Sequence, residues 1–371
     1  SQEDFEETLR VADMTTPADL KVPESRYADD PHRPEFHAMP PAHWANEPHG
    51  LTYYDGRYHL FFQYNPAGPY WEHIHWGHIS SPNLLEWNEH RIALAPEPGY
   101  DNHGVWSGDA VVHEGRLKPI YTAVDGGRAG ISLAEMHGYG NFTKHPENPL
   151  FYLPPGNYED FRDPYVWKEG DTWYLSIGTS VPNGGGVALL YRSSDMVNWE
   201  YRGELFGEGD PEQSGGYWEM TKMMHLRDGV YYFGITSLPG GICQYWLGNF
   251  ENEKFKPFHE EPIPQDLTNR FLAPTIEHTP DGRLIAIGII PNHVTSEFAK
   301  ELGWEHVFSL PREWYYDEED GILGQRPAKE LKKLRGPHFS AGPLSLGDSR
   351  GQVLGWQSTT FEMKAKFDLS T

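Results

Sequence analysis

Basic residues are scarce in this chain of 371 residues: 30 Lys and Arg face 54 Asp and Glu, a formal net charge of −24 at pH 7. A phosphate backbone needs a cationic footprint, so nucleic acid is excluded as a partner and docking on anionic lipid is disfavoured. Cysteine is nearly absent too. The single Cys243 rules out an intrachain disulfide and a thiolate zinc cage. No apolar run reaches the roughly 18 residues of a membrane-crossing helix, and no membrane partner is expected. The Glu-rich start is not a secretory leader. Location stays open, with an extracellular site and a leader removed before Ser1 favoured over the cytoplasm. Long helices have little room among 39 glycines and 31 prolines.

What the chain does have is aromatic residues, 14% of the total, and a phrase that repeats. An acidic residue and a glycine precede a β-branched, aromatic or aliphatic run at Asp55-Gly56, Glu114-Gly115, Glu169-Gly170, Asp228-Gly229 and Asp281-Gly282. Each reads as a hairpin turn feeding a strand. The glycine spacings are 59, 55, 59 and 53 residues. Five copies at that period predict an all-β fold, a five-bladed β-propeller with one four-stranded blade per copy. Ser81-Pro82-Asn83-Leu84-Leu85-Glu86-Trp87 parallels Ser194-Asp195-Met196-Val197-Asn198-Trp199, where an outer strand would begin.

In a propeller, the strand before each turn lines the central channel. Upstream of the turns stand Glu47, Asp109, Asp163 and Glu219, at nine, six, seven and ten residues before their glycines. Such carboxylates would converge in one funnel. Like charges held close raise at least one pKa, as a general acid at neutral pH requires. Two carboxylates across a sugar ring are the machinery of glycoside hydrolysis, whereas acids at strand starts also serve simply to solvate a channel mouth or pair with arginine. Trp44, Trp71, Trp76, Trp106, Trp218 and Trp304 stand near these acids, with Asn46, Gln63, Asp101 and Arg162 as hydrogen-bonding partners. That mixture suits a sugar, which has both hydroxyls and an apolar C–H face.

Several segments together resemble glycoside hydrolase family 32, the invertase, inulinase and levanase family. Trp44-Ala45-Asn46-Glu47-Pro48-His49-Gly50 resembles its W-M-N-D-P-N-G motif, and Phe62-Gln63-Tyr64-Asn65-Pro66 its F-Y-Q-Y-N-P segment. His75-Trp76-Gly77-His78 is similar to H-W-G-H, and Trp106-Ser107-Gly108-Asp109-Ala110 to F-S-G-S-A. Phe161-Arg162-Asp163-Pro164 carries R-D-P, and Trp218-Glu219-Met220 stands where the family has W-E-C. Leu272-Ala273-Pro274-Thr275, Gly303-Trp304 and Ser309-Leu310-Pro311-Arg312-Glu313 complete the order over residues 36–335.

The resemblance implies a retaining hydrolase of β-fructofuranosidic bonds in sucrose, inulin or levan, acting on a small-molecule or oligosaccharide substrate without metal or cofactor. It implies Glu47 as nucleophile, Glu219 as acid/base and Asp163 as transition-state stabiliser. Arg162 would orient substrate, and Asn46, Gln63, Trp71, Trp106, Ser107 and Trp304 would line the pocket. Glu47 stands in place of aspartate and Met220 in place of cysteine, while Ala45 and His49 alter the same first turn. These departures leave a fructosyltransferase or difructose-anhydride-type enzyme open, as well as a carbohydrate-binding protein on a disabled scaffold. His73, His75 and His78 form H-x-H-x-x-H, but no carboxylate or cysteine stands at firm ligand spacing, and no metal is expected.

The expected organisation is an extension over residues 1–35 with one short helix from Glu3 to Val11, then the propeller over 36–335. Residues 336–371 would be a linker and the start of a C-terminal β-sandwich, with an alternating strand over 357–368. The sandwich's remainder would be missing or on another chain, because a lone strand does not fold by itself.

Overall fold

The computed structural model describes residues 29–40, 42–138, 140–152, 156–207, 211–292, 294–344 and 355–367. The helix expected from Glu3 to Val11 lies outside them. The chain divides into two units, Ser1–Ala328 and Lys329–Thr371.

The first unit holds five sheets, antiparallel but for one edge strand, and these are the blades of a propeller. Blade 1 comprises His43–Tyr54, Arg57–Asn65, His75–Ser81 and Asn88–Glu89. Blade 2 comprises Gly104–His113, Arg116–Asp125, Arg128–Met136 and Phe142–Lys144. Blade 3 runs through Glu159–Glu169, Thr172–Ser180, Gly186–Ser193 and Glu200–Gly207. Blade 4 runs through Tyr217–Arg227, Val230–Leu238, Ile242–Glu251 and Lys254–Pro257. Blade 5 is built from Leu272–His278, Leu284–Ile290, Arg312–Asp317 and Ile322–Pro327.

Each repeated turn joins the first and second strands of its blade, as the period required. In the first, Tyr54 pairs with Arg57, leaving Asp55 and Gly56 as a two-residue loop at φ 48° and 75°. Positive φ at both positions is the hairpin geometry that follows the strand twist, and glycine adopts it without a Cβ penalty. The second phrase also folds alike in both copies. Asn83 Oδ1 accepts from the amides of Leu85 and Glu86, as Asp195 Oδ1 does from Val197 and Asn198. Leu84 and Met196 occupy matching left-handed positions at φ 65° and 64°.

Successive strand residues point to opposite faces, so the middle strands feed two cores at once. Leu60, Phe62 and Tyr64 pack with Ile285, Ile287 and Phe308 of blade 5, whereas Phe61 packs with Val105, Leu117 and Tyr121 of blade 2. Leu189 faces Ile120 and Leu133, and its neighbours Ala188 and Leu190 face Phe233 and Trp246. A fifth cluster joins Tyr232, Tyr245 and Leu247 to Phe271, Ile276 and Trp314. Each such buried aromatic or aliphatic side chain contributes about 1.5–3 kcal/mol. Five interblade seams therefore replace one central core, and the channel is left to polar residues.

Blade 5 also fastens the ring. Between its second and third strands the chain leaves to form the helix Ser296–Leu302, N-capped by Thr295 and closed by Gly303 at φ 78°. Trp304–Glu305 then lies parallel to His43–Trp44 of blade 1, so late residues edge the first blade.

In the second unit a 3-10 helix spans Lys329–Leu334, and Arg335 Nε donates to Glu362 Oε2 at 2.9 Å. The strand expected over 357–368 is not formed: residues 357–367 are irregular and exposed. The alternating pattern is present, but no described strand pairs with it, and unpaired backbone does not hold strand geometry.

Candidate active site

The inner strands of the five blades start at one end of the channel, and all five break register near that end. The breaks fall between Ala45 and Pro48, Trp106 and Gly108, Arg162 and Tyr165, Glu219 and Lys222, and Leu272 and Thr275. A bulge re-aims the side chains beside it. The bulged stretches hold Asn46 and Glu47, Ser107, Asp163, and Met220 and Thr221. Asp163 and Met220 sit at φ 63° and 51°, a conformation that costs about 1 kcal/mol per residue outside glycine.

Glu47 Oε1 accepts from Ser107 Oγ at 2.8 Å, and Ser107 Oγ accepts in turn from Gln63 Nε2 at 2.7 Å. The chain Gln63–Ser107–Glu47 thus orients the carboxylate from blade 2 and from the second strand of blade 1. Asp163, 2% exposed, accepts on Oδ2 from the Met220 amide at 3.3 Å. Its own amide donates to Thr122 Oγ1 at 2.9 Å, and Thr122 Oγ1 donates to the Ser107 carbonyl at 3.0 Å. Arg162 Nη2 donates to Glu219 Oε1 at 2.6 Å, while Nε lies 3.9 Å from Asp163. The guanidinium also stacks 4.2 Å from the centre of the Tyr217 ring.

Three acids this close cannot all be ionised without cost. Burial is the main force pushing the Glu47 carboxyl up to about 8, with Asp163 and then Glu219 adding to it and the Ser107 hydrogen bond opposing. Burial likewise pushes Asp163 up to about 6, against the pull of Arg162. Glu47 and Asp163 are thus both pushed toward the neutral form by burial and by the other acids, the pattern that close carboxylates impose on one another.

Of the remaining expected pocket residues, Asn46 is half-buried, and its carboxamide makes no protein hydrogen bond among the described residues. Trp71 is 55% exposed and stands edge-on to Trp106, 6.1 Å between centres, which leaves indole surface open for a sugar face. The other tryptophans expected near the acids are spent on packing. Trp44, Trp76, Trp218 and Trp304 are all buried. Trp304 is 2% exposed, and its Nε1–H donates to Asp30 Oδ2 at 2.8 Å, so it ties the segment before blade 1 to the ring. Asp101, the further sugar contact considered, is fully buried and bound to Lys144 Nζ at 2.7 Å. His73 Nε2 pairs with the Asn102 carbonyl, His75 Nδ1 with the His73 carbonyl and His78 Nε2 with His59 Nδ1, so each ring of H-x-H-x-x-H already has a protein partner.

Asp109 belongs to a deeper layer. Its Oδ2 accepts from the Val166 amide at 3.0 Å, and burial pushes it up to about 6 against the pull of Lys222. Beside it stand two residues missed from the sequence, Lys222 and Glu277. Glu277 lies five residues before Gly282, so extending the same upstream search to blade 5 would have found it. Thr122 and Tyr217 were also missed. They act through a hydroxyl bridge and a ring face, and neither carries a motif.

Residues 37–327 match the glycosyl hydrolases family 32 N-terminal domain. A raffinose invertase of Escherichia coli is 33% identical over 84% of this chain and 68% of its own length. A levanase of Bacillus subtilis is 32% identical over 94% of this chain and 54% of its own. Among solved structures, a family 32 β-fructofuranosidase of Bombyx mori in complex with sucrose superposes with TM-score 0.75 at 30% identity, covering 91% of this chain and 72% of that one. Fructan 1-exohydrolase IIa of Cichorium intybus gives TM-score 0.76 at 27% identity, covering 83% and 63%. The chain thus spans roughly half to three quarters of these relatives' lengths. With the family match across residues 37–327 and a relative 33% identical over 84% of the chain, the chain belongs to glycosyl hydrolase family 32.

Proposed function

We propose that this chain hydrolyses β-fructofuranosidic bonds in sucrose or in inulin- or levan-type fructans, with retention of configuration. The observation that carries the reading is the meeting of Glu47, Asp163 and Glu219 on three bulged inner strands, tied together through Ser107, Thr122 and Arg162. The invertase, levanase and sucrose-bound β-fructofuranosidase among the relatives support the substrate class.

In this reading Glu47 attacks the anomeric carbon and forms a fructosyl ester as the glycosidic bond breaks. Glu219 gives its proton to the leaving oxygen, then removes one from the water that cleaves the ester. Asp163 and Arg162 hold the ring hydroxyls, and Asn46, Gln63, Ser107, Trp71 and Trp106 shape the pocket. Arg162 Nη2 occupies Glu219 Oε1, so in this reading the proton passes through the other carboxyl oxygen.

The test is early-time NMR of the products from sucrose, sucrose 6-phosphate, inulin and levan. Fructose appearing first as the β-anomer is the expected result. The α-anomer would overturn double displacement, and transfer to a sugar hydroxyl instead of water would mark a fructosyltransferase. Binding without turnover on all four would leave a carbohydrate-binding protein.

A further inference from the structure

Trp71 is carried by the loop 66–74, between the second and third strands of blade 1, and this loop is fastened on both sides of it. Before Trp71, Asn65 Nδ2 donates to the Tyr70 carbonyl at 2.8 Å and the Trp44 amide to the Gly68 carbonyl at 3.0 Å. After it, the chain reaches across to blade 2 through His73. The ring is buried, and its Nε2 lies 2.9 Å from the Asn102 carbonyl, an oxygen that can only accept, so Nε2 carries the proton. The next residue repeats the crossing, with the Val105 amide donating to the Ile74 carbonyl at 2.8 Å. His73 itself sits at φ 33°, a conformation rare for a residue with a Cβ and kept where neighbouring contacts over-determine it. His75 Nδ1 supplies a further such contact, 2.8 Å from the His73 carbonyl.

The turn that receives this bond is itself well held. Asp101 Oδ2 binds Lys144 Nζ at 2.7 Å, its Oδ1 accepts from the Glu97 amide at 2.9 Å, and the His103 amide donates to the Val124 carbonyl at 3.0 Å. Gly104 closes the turn by donating to the Asp101 carbonyl at 3.1 Å. A Cβ at Gly104 would stand 2.7 Å from Trp106 Nε1, so the Trp106 indole lies directly against this turn. One short stretch of blade 2 therefore backs the Trp106 ring and, through Asn102, holds the end of the loop that carries Trp71. The two indoles meet edge to face, 6.1 Å between centres and 72° apart, and the residue after Trp106 is Ser107, which donates to Glu47. A stacking surface whose loop is ordered before the sugar arrives binds without the entropy loss of ordering it then.

Resting on the glycosidase reading above, we propose that His73 is a positioning residue for substrate binding: its bond to the Asn102 carbonyl latches the Trp71 loop to blade 2 and fixes the Trp71 indole, beside Trp106, as a platform for the apolar face of a sugar. The latch acts through Trp71 alone. It moves no proton in the reaction and leaves the carboxylates of the site to their own partners.

The experiment pairs steady-state kinetics with ¹⁹F NMR of protein labelled with fluorotryptophan, the Trp71 signal being assigned by its loss in Trp71→Phe. In His73→Ala, KM for sucrose or inulin should rise about threefold or more with kcat within about twofold of wild type, the mark of lost ground-state binding. His73→Gln, which can place an N–H where Nε2 stands, should restore most of it. In the Trp71→Ala background, His73→Ala should add almost nothing, because both changes act on the same surface. The ¹⁹F signal of Trp71 should shift in His73→Ala and return in His73→Gln. An unchanged Trp71 signal in His73→Ala, or a KM effect that multiplies with that of Trp71→Ala, would overturn the proposal and leave His73 a packing residue. Should His73→Ala not fold, His73→Gly, which suits φ 33° and lacks the ring, reads the same latch. Should wild type cleave no fructoside, the glycosidase reading fails, while the ¹⁹F spectra still decide the role of His73.

Discussion

Arg162 donates to Glu219 at 2.6 Å while its guanidinium plane covers the Tyr217 ring at 4.2 Å. The two contacts use different properties of one side chain, the directed N–H groups and the flat delocalised cation. Lysine has neither the fork nor the plane, so it can keep the charge and lose the placement. Arg162→Lys should lower kcat/KM about a hundredfold, the scale of a 1 Å misplacement at a reacting centre, with an unchanged far-UV circular dichroism spectrum. Steady-state kinetics on sucrose and inulin checks this. A loss under about threefold would make the contact incidental.

The Glu47 carboxyl has an ordinary value of 4.5 and is pushed up to about 8 in the folded chain, chiefly by burial and then by Asp163. Between those values the folded protein holds a proton that the unfolded chain has released. Stability therefore falls as pH rises through that window. Glu47→Gln removes the effect. Its unfolding midpoint should match wild type at pH 4 and exceed it by about 3 °C at pH 8. Turnover should be lost at both. Thermal melts across pH 4–9 give the comparison, and a variant less stable than wild type at pH 8 would contradict the assigned charge.

The architecture was legible because its signal is local and repeated. Asp55-Gly56 and its four counterparts each encode a turn by themselves, and the period counts the blades. The convergence of Glu47, Asp163 and Glu219 was legible for the same reason, although the same spacing also gave Asp109, which lies in a deeper layer; only the family resemblance set the three apart. What was not legible depends on packing between blades. Nothing in the sequence distinguishes Trp71, which ends exposed in a loop, from Trp304, whose strand is drawn against His43. Lys222 carries no motif, and its meaning comes from the residues of other blades that surround it. The strand expected over 357–368 failed differently. Its alternation is genuine, but strand geometry is a property of pairs, and the partner is not among the described residues.

That difference between the two tryptophans gives a paired prediction. Trp71 is 55% exposed and touches the site only through the Trp106 edge, so Trp71→Ala should raise KM severalfold and leave the melting temperature within about 1 °C. Trp304 is 2% exposed, bonded to Asp30 and beside Arg33. Trp304→Ala should cost about 3–5 kcal/mol of stability through the cavity it leaves, with KM little changed in the protein that remains folded. Denaturant unfolding and KM measured on both variants separate the roles. A KM effect from Trp304 larger than that from Trp71 would return Trp304 to the pocket.

Thr122 offers the narrowest test of how the site is held. Its buried hydroxyl accepts from the Asp163 amide and donates to the Ser107 carbonyl, so one oxygen joins Asp163 to the residue whose side chain donates to Glu47. Valine has nearly the same shape without the hydroxyl. Thr122→Val removes the side-chain acceptor of the Asp163 N–H, at a cost of about 1–3 kcal/mol, and loosens the hold on a residue kept at φ 63°. We expect kcat to fall tenfold or somewhat more by the misplacement argument, with KM changed less, and Thr122→Ser to restore most of it. Loss of kcat in Thr122→Ser with Thr122→Val near wild type would show that the methyl group, not the hydroxyl, positions Asp163.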